Sequence, residues 1–351
     1  MGKGRAQEVQ QYRRDLTPAF QAAAAKAPLP KDPVKTLLAI AEKVRQQVLL
    51  PASQELDLLE ITTKSVEGQR SADAKTITIK TDNECEEFIE KIISSEMPNA
   101  FFLSEEMYGR ADAEEKRRLI HEALTTTRPV MLVDPLDATR DFRNGGDGYG
   151  VMLTLAVQGQ VKASVIRRCT DDAEVEGHGH AITYGQGDAV RYDGQILRPL
   201  NERKFPDVGS QMRGYAGVEF IDAMRKPGSH PGFPNLTDKF DSISDLWTCG
   251  KMTEDLLKGT HHFMLVTPPV DIFDYPAAVT MLTRSGGVAR FLDGTPATMR
   301  EILIRQNRPI DIYKDTLVFA VSDKVFDVVR ENILNAPRVP GKAKVIENRP
   351  Y

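Results

Sequence analysis

Cysteine is scarce in this chain of 351 residues. Only Cys85, Cys169 and Cys249 occur, spaced too widely for a disulfide framework or a zinc knuckle, so a reducing, cytoplasmic setting is expected. No apolar run approaches the ~18 residues of a membrane span, and the first residues lack a continuous apolar signal segment, so no membrane partner is expected. Met1-Gly2 is followed by Ala6 where an N-myristoylation motif wants Ser or Thr. An excess of positive charge is also missing. The 46 basic and 50 acidic side chains leave a formal net charge of −4, without the basic field that a nucleic-acid polymer requires. The histidine clusters, His178-Gly179-His180 and His261-His262, stand beside no acidic strand end and read as loop residues rather than ligands.

What is present is enough apolar residue, 41% of the chain, to bury a full core over more length than the ~100–200 residues of one average domain. Two packed subdomains are expected. Residues 1–31 read as an N-terminal extension, charged and then alanine-rich at Ala22 to Ala25. Asp32-Pro33 supplies a cap and a first-turn proline for a helix with apolar positions Val34, Leu37, Leu38, Ala41, Val44 and Val48. Thr81-Asp82-Asn83-Glu84 has capping-box spacing, and Phe88, Ile89, Ile92 and Ile93 form an apolar stripe behind it. Val151 to Val157 and Val161 to Ile166, split by Gln158-Gly159-Gln160, predict an antiparallel meander, and Asp193-Gly194 is a hairpin dipeptide. A stretch rich in Pro, Gly and charge from about 201 to 245 marks the boundary between an α+β subdomain, 32–200, and an α/β subdomain, 201–336. Helix-like and strand-like stretches alternate beyond it, ending in a helix capped by Ser322, and 337–351 reads as a tail.

The chemistry concentrates on acids at the ends of apolar runs. Val130 to Val133 delivers Asp134-Pro135-Leu136-Asp137 from what reads as a buried strand. Pro135 fixes its own φ and lacks an amide donor, so the strand is expected to stop there and turn with both carboxylates close together. Hard divalent cations suit that oxygen cluster, and the lack of His or Cys disfavours zinc, which makes Mg²⁺ the first choice. Glu105 and Glu106 follow Phe101-Phe102-Leu103, and Asp274 follows Ile272-Phe273, so three strand ends are expected to converge as carboxylates. Surface turn acids are the bland alternative.

The ordered segments Glu105-Glu106, Asp134-Pro135-Leu136-Asp137-Ala138-Thr139 and Phe273-Asp274-Tyr275-Pro276-Ala277-Ala278 resemble the inositol monophosphatase superfamily of Mg²⁺-dependent, often lithium-sensitive phosphomonoesterases. Lys64-Ser65, Thr81-Asp82 and Ser285-Gly286-Gly287-Val288 fall in the same order, and the likeness covers about residues 34 to 335. Ala138 replaces the usual glycine, Pro276 enters the usual Asp-x-Ala-Ala segment, and Thr267 stands where inositol-specific members carry a substrate-binding glutamate.

The resemblance implies an α/β (α+β) fold of layered αβαβα type, with two or three Mg²⁺ in a cleft between the subdomains. It assigns one cation to Glu105, Asp134 and the Leu136 carbonyl, and a second to Asp134, Asp137 and Asp274. It also implies that Thr139 orients the attacking water with Asp82 as proton acceptor, although ordinary helix capping is the competing reading of both residues. The amides of Ala138 and Thr139, at a helix start, suit a substrate phosphate. Glu106 and Lys64 are secondary candidates, each equally readable as a surface charge, and Thr267 is a third. Thr248-Cys249-Gly250 is expected to line the cleft, with Cys249 a small buried hydrophobe rather than a nucleophile. Arg300, Arg305, Arg308 and Lys314 read as a solvated helix face sooner than as a phosphate site.

The expected activity is hydrolysis of a small phosphomonoester by metal-activated water, with inositol monophosphate or a related polyol or sugar phosphate first. Alternatives are 3′(2′),5′-bisphosphate nucleotides, inositol polyphosphate, histidinol phosphate and fructose 1,6-bisphosphate. A noncatalytic metal- or phosphate-binding regulator is the reading from a different class. Dimers are common among such proteins, so a homodimer is compatible with the resemblance.

Overall fold

The computed structural model describes residues 29–54, 61–63, 77–146, 148–169, 180–225, 234, 236, 238–245, 248–268, 270–306 and 311–336. Lys64-Ser65, His178, Arg308, most of the N-terminal extension and the C-terminal tail lie outside the described residues. Helix α1, Pro33–Val44, begins as the sequence predicts, with Asp32 Oδ1 accepting from Lys35 N at 3.0 Å and Pro33 in the first turn. It runs on through a π turn, Arg45–Leu49. A short ladder pairs β1, Ile61–Thr63, with β2, Ile77–Ile79, and α2, Lys80–Glu96, follows at once. Because α2 starts before Thr81, the capping-box reading fails: Asp82 sits inside the first helical turn.

The larger sheet has seven strands in sequence order. It comprises β3 (Phe101–Ser104), β4 (Val130–Asp137), β5 (Gly150–Val157), β6 (Gln160–Arg168), β7 (Ala181–Gly185), β8 (Arg191–Tyr192) and β9 (Gln195–Ile196). Only the β3–β4 pair is parallel, and the rest form the predicted antiparallel meander. Asp193 and Gly194 make the β8–β9 turn with φ of 48° and 77°, the double positive φ that Asp-Gly supports. Between β3 and β4 lie α3, Glu105–Arg110, and α4, Ala113–Thr125; after β4 comes the short α5, Thr139–Arg143.

Side chains on β4 alternate between two cores, as a period of two requires. Met131 and Val133 join Leu37, Ile40, Ile89 and Ile93 of α1 and α2 on one face, while Val130 and Leu132 join the core on the other. With both faces covered, the strand is buried along its whole length and opens on an unbroken apolar run, Val130 to Val133. The second core continues through α7 (Cys249–Lys258) and α8 (Tyr275–Arg284) to a five-stranded sheet. That sheet is ordered β11-β10-β12-β14-β13: Ser242–Asp245, Arg213–Ala216, Phe263–Val266, Leu317–Ala320 and Val288–Phe291. Helix α11, Asp323–Asn335, capped by Ser322 as predicted, packs on β12 and β14. Short helices α6 (Val218–Arg225), α9 (Met299–Gln306) and α10 (Ile312–Asp315) complete an αβαβα sandwich. Among the described residues no helix is long and apolar enough to cross a membrane.

Two further expectations change in the fold. Pro135 does not end β4: the strand continues to Asp137, and the β4–β5 register slips between Asp134 and Asp137. A bulge breaks the ladder where proline offers no donor, so the chain need not turn away. Arg305 is no solvated helix residue. It is buried with guanidinium bonds to Asp293 at 2.8 Å, Glu301 at 3.0 Å and Asp315 at 2.6 Å, and it stacks 3.7 Å from the Phe291 ring centroid. With the Lys314 carbonyl as a fourth acceptor, four of its five N–H donors serve the fold.

Ala138, between β4 and α5, adopts φ 68° and ψ 46°. The left-handed region costs an L-residue roughly 1–2 kcal/mol, part of which glycine returns through its larger unfolded freedom. Ala138→Gly is therefore predicted to stabilise the protein by about 0.5–1 kcal/mol. Urea denaturation of both proteins checks this, and a loss of stability in the variant would show that Ala138 carries no strain.

Candidate active site

The bulge in β4 builds the site. Residues three apart on a regular strand face opposite sides, and one extra residue restores their parity. Asp134 pairs with Met152 and Asp137 with Gly150, so three steps on β4 match two on β5. Asp134 Oδ1 accepts from Leu136 N at 2.9 Å, a local turn that fixes the carboxylate and directs the peptide that follows. Leu136 buries its side chain in the α1–α2 core while its carbonyl oxygen lies 3.2 Å from Thr139 Oγ1.

Asp274 arrives from the opposite layer. It is not at a strand end, as the sequence suggests, but at the N-terminus of α8, eight residues beyond β12. Its side chain makes no capping bond, and Oδ1 is buried without a hydrogen-bond partner. Oxygens of Asp134, Asp137 and Asp274 lie within 4.8 Å of one another. Burial raises the pKa of all three, and the charges acting most on Asp134 are Asp274, Glu105 and Asp137. Such a cluster resists full ionisation. An all-oxygen acid set around an orphaned buried oxygen fits a hard divalent cation such as Mg²⁺.

Glu105 is the first residue of α3, near enough to act electrostatically on all three aspartates. Its helix is held by Glu86, a residue the sequence reading missed. Glu86 accepts from Ser104 Oγ, from Met107 N at 2.8 Å and from Arg110 at 2.5 Å. The available signal was spacing: Glu86 follows Asp82 by one helical turn, so both acids share a face of α2. Tyr108 meets Phe273 edge-on at 5.7 Å, tying α3 to the segment that carries Asp274.

Asp82 and Thr139 form the expected pair, with Thr139 Oγ1 donating to Asp82 Oδ1 at 2.9 Å. Thr139 does not cap a helix. Ala138 occupies the cap of α5 without a side-chain bond, and Asp82 lies within α2.

Thr248-Cys249-Gly250, expected along the cleft, makes direct contact with a site acid instead: all three donate to Asp137. Cys249 is buried, and burial, then Asp274 and Asp137, push its thiol pKa well up, as suits an inert side chain. Glu106 is buried in the first turn of α3, outside the gathered triad, and Thr267 follows β12 directly, also outside it. Among the described residues, His180, His261 and His262 have partners away from the site acids. His180 bonds Asp193 at 2.7 Å, His262 accepts from Arg213 N at 2.9 Å, and His261 stacks on Tyr215 at 4.2 Å.

A five-layer sandwich with an acid cluster between its sheets has the architecture of the metal-dependent phosphatases typified by inositol monophosphatase. The chain belongs to the inositol monophosphatase family, whose sequence model matches residues 34–209. No curated protein matches it by sequence. Among solved structures, it is similar to the extragenic suppressor protein suhB from Bartonella henselae, with 17% identity and a TM-score of 0.60, covering 86% of this chain and 98% of that one. An IMPase/NADP phosphatase complexed with Mg²⁺ and phosphate gives 12% identity, a TM-score of 0.62 and coverages of 88% and 98%. Inositol monophosphate-bound SaIMPase-II gives 14%, 0.58, 86% and 94%.

The raised carboxylate pKa values carry a stability sign. Below the ordinary aspartate range, folded and unfolded chains both hold the protons. As pH rises past it, the unfolded chain releases them first, so stability falls until the raised folded values are passed. Asp134→Asn should accordingly raise the melting temperature of the cation-free protein at pH 7–8, by about 2 °C or more, and the gain should shrink toward pH 4. The same substitution should abolish stabilisation by added Mg²⁺. Melting curves across pH in EDTA and in Mg²⁺ test both statements. A variant that melts below wild type in EDTA at neutral pH would mean that the acids are not in conflict.

Proposed function

We propose that this protein is a Mg²⁺-dependent phosphatase that hydrolyses a small phosphomonoester. The observation that carries the reading is the cluster of buried Asp134 and Asp137 with half-buried Asp274, whose Oδ1 is itself buried and orphaned, in the same sandwich as the Thr139–Asp82 pair. Glu105, Asp134 and the Leu136 carbonyl would hold one cation, and Asp134, Asp137 and Asp274 the second. The bound cations would supply charge stabilisation for the phosphoryl group and an acidified water.

The protein's own groups supply the rest. Thr139 Oγ1 donates its hydrogen toward Asp82, which leaves a lone pair to accept a hydrogen from the attacking water. As the water oxygen forms its bond to phosphorus, its proton passes to Thr139 Oγ1 and the threonine proton passes to Asp82. The ester P–O bond breaks on the opposite side, and the leaving oxygen takes a proton from solvent. The Ala138 and Thr139 amides hold the phosphate oxygens. A division into units 32–200 and 201–336, a cytoplasmic location and a homodimer belong to the same reading.

Thr139→Ala is predicted to lower kcat by ~10²- to 10⁴-fold, the usual contribution of a positioned acid–base group, while Mg²⁺ affinity stays within about twofold by calorimetry. A kcat loss below about threefold, or a defect explained wholly by lost Mg²⁺, removes the dyad from the mechanism.

The substrate is proposed to be inositol monophosphate or a related polyol or sugar phosphate, accepted with modest discrimination. The support is Thr267, seven residues before Asp274, a short neutral side chain where a glutamate would grip ring hydroxyls. One polar contact left unmade costs only ~1–3 kcal/mol of preference. Values of kcat/KM for inositol 1-phosphate, fructose 1,6-bisphosphate, 3′-phosphoadenosine 5′-phosphate, histidinol phosphate and inositol 1,4-bisphosphate should therefore lie within about 10²-fold of one another. A single compound ahead by ~10⁴-fold requires a dedicated polar pocket and refutes relaxed specificity.

A further inference from the structure

We infer that Thr248 is a positioning residue that restricts Asp137 to one ligating oxygen and thereby favours Mg²⁺ over Ca²⁺ at the second cation position. The inference rests on the phosphatase reading given above.

Asp137 ends β4 in the seven-stranded sheet, and its partners come from the start of α7 in the adjoining layer. Thr248 Oγ1 and Gly250 N each reach Oδ2 at 2.8 Å, whereas Cys249 N reaches Oδ1 at 3.2 Å. A carboxylate offers about two acceptor directions per oxygen. Oδ2 is therefore filled, and Oδ1 retains a free direction beside its longer amide bond.

Thr248 itself has little freedom. Its Oγ1 accepts from Lys251 N at 3.2 Å, so the same oxygen caps α7 and donates to Asp137. Its methyl stands where a Cβ built on Gly148 would meet it at 3.1 Å, and Gly148 N is tied to Asp141 Oδ2 at 2.6 Å. On the other side, a Cβ on Gly250 would lie 3.1 Å from Asp137 Oδ2 and 3.1 Å from Ile166 Cγ2. The start of α7 is thus packed closely against β4 and β6, and its three bonds to Asp137 oppose rotation of the carboxylate to present both oxygens.

That restriction discriminates between cations. Mg²⁺ demands near-octahedral geometry and accepts single carboxylate oxygens, whereas Ca²⁺ takes more ligands and uses bidentate carboxylates readily. Removing the Thr248 hydroxyl frees one direction on Oδ2 and loosens the carboxylate. Mg²⁺ loses a preorganised ligand, while Ca²⁺ gains a bidentate option.

The test is calorimetric titration of the full-length protein with Mg²⁺ and, separately, with Ca²⁺, for wild type, Thr248→Val and Thr248→Ser, alongside cation-free melting temperatures. Thr248→Val should lose ~10-fold or more in Mg²⁺ affinity at one of two sites, the range typical of partners that orient a ligand, with a smaller loss for Ca²⁺. Thr248→Ser, which keeps the hydroxyl, should hold the wild-type Mg²⁺:Ca²⁺ ratio within about threefold. The melting temperature separately reports the lost helix cap. Unchanged Mg²⁺ affinity at both sites in Thr248→Val, or equal losses for the two cations, overturns the inference. Wild-type protein that binds Mg²⁺ at two sites but releases no phosphate from any ester refutes the phosphatase reading and leaves this test in force. Wild-type protein that binds no Mg²⁺ overturns both.

Discussion

Three carboxylates, two buried and one half-buried, with oxygens within 4.8 Å of one another repel, and this conflict organises the middle of the protein. Burial and mutual repulsion act together to disfavour the charged forms, so in the absence of a cation the cluster is a local store of unfavourable energy. The β4 bulge creates the conflict deliberately. A regular strand would have placed Asp134 and Asp137 on opposite faces, one toward α1 and α2 and the other toward α7 and α8. The extra residue opposite β5 puts them together, and Pro135 is tolerated because the ladder is already interrupted.

Acids in conflict keep their geometry only if something else holds them. Two helices serve as rails. From one face of the seven-stranded sheet, α2 presents Asp82 to Thr139 and, one turn on, Glu86 to the start of α3, so a single helix fixes the hydroxyl pair and the element that carries Glu105. From the other face, α7 delivers two amides and a hydroxyl to Asp137. These donors oppose the effect of burial on Asp137, though burial prevails and its pKa is still raised. Site geometry thus depends on both faces of one sheet being packed at once.

Much of this was legible in the sequence, for identifiable reasons. Asp32-Pro33, Ser322 and Asp193-Gly194 encode local conformations whose causes lie within a few residues, and all three form as read. The acids of β4 stand out because an apolar run delivers them. What escaped depends on distant partners. The capping-box spacing of residues 81–84 misleads because the partner of Asp82 is Thr139, 57 residues away, a pairing that only the family resemblance implies. Whether Pro135 turns a strand or sits in a bulge depends on β5, and whether Asp274 ends a strand or opens a helix depends on the span between β12 and α8. Arg305 reads as a surface charge until Asp293, Glu301 and Asp315 surround it. In the sequence Ala138 stands out as a departure from a family glycine and as a phosphate-binding amide, and its positive φ gives the departure its physical meaning.

The site's cost in stability is set against a latch with the opposite dependence on pH. Arg168 of β6 bonds Glu254 of α7 at 2.5 Å, and Tyr192 of β8 and Lys258 reach the other carboxylate oxygen. Burial pushes the Glu254 pKa up, yet the bonds from Lys258, Arg168 and Tyr192 prevail and hold it at about 2. A depressed acid contributes stability at and above the ordinary glutamate range and loses it only as pH falls toward its folded value. The aspartate cluster behaves the other way, gaining stability as protons return. Glu254 lies in the same helix whose first turn grips Asp137, so the latch keeps that grip in place through the neutral range, where the carboxylates are most in conflict and a divalent cation is most strongly favoured.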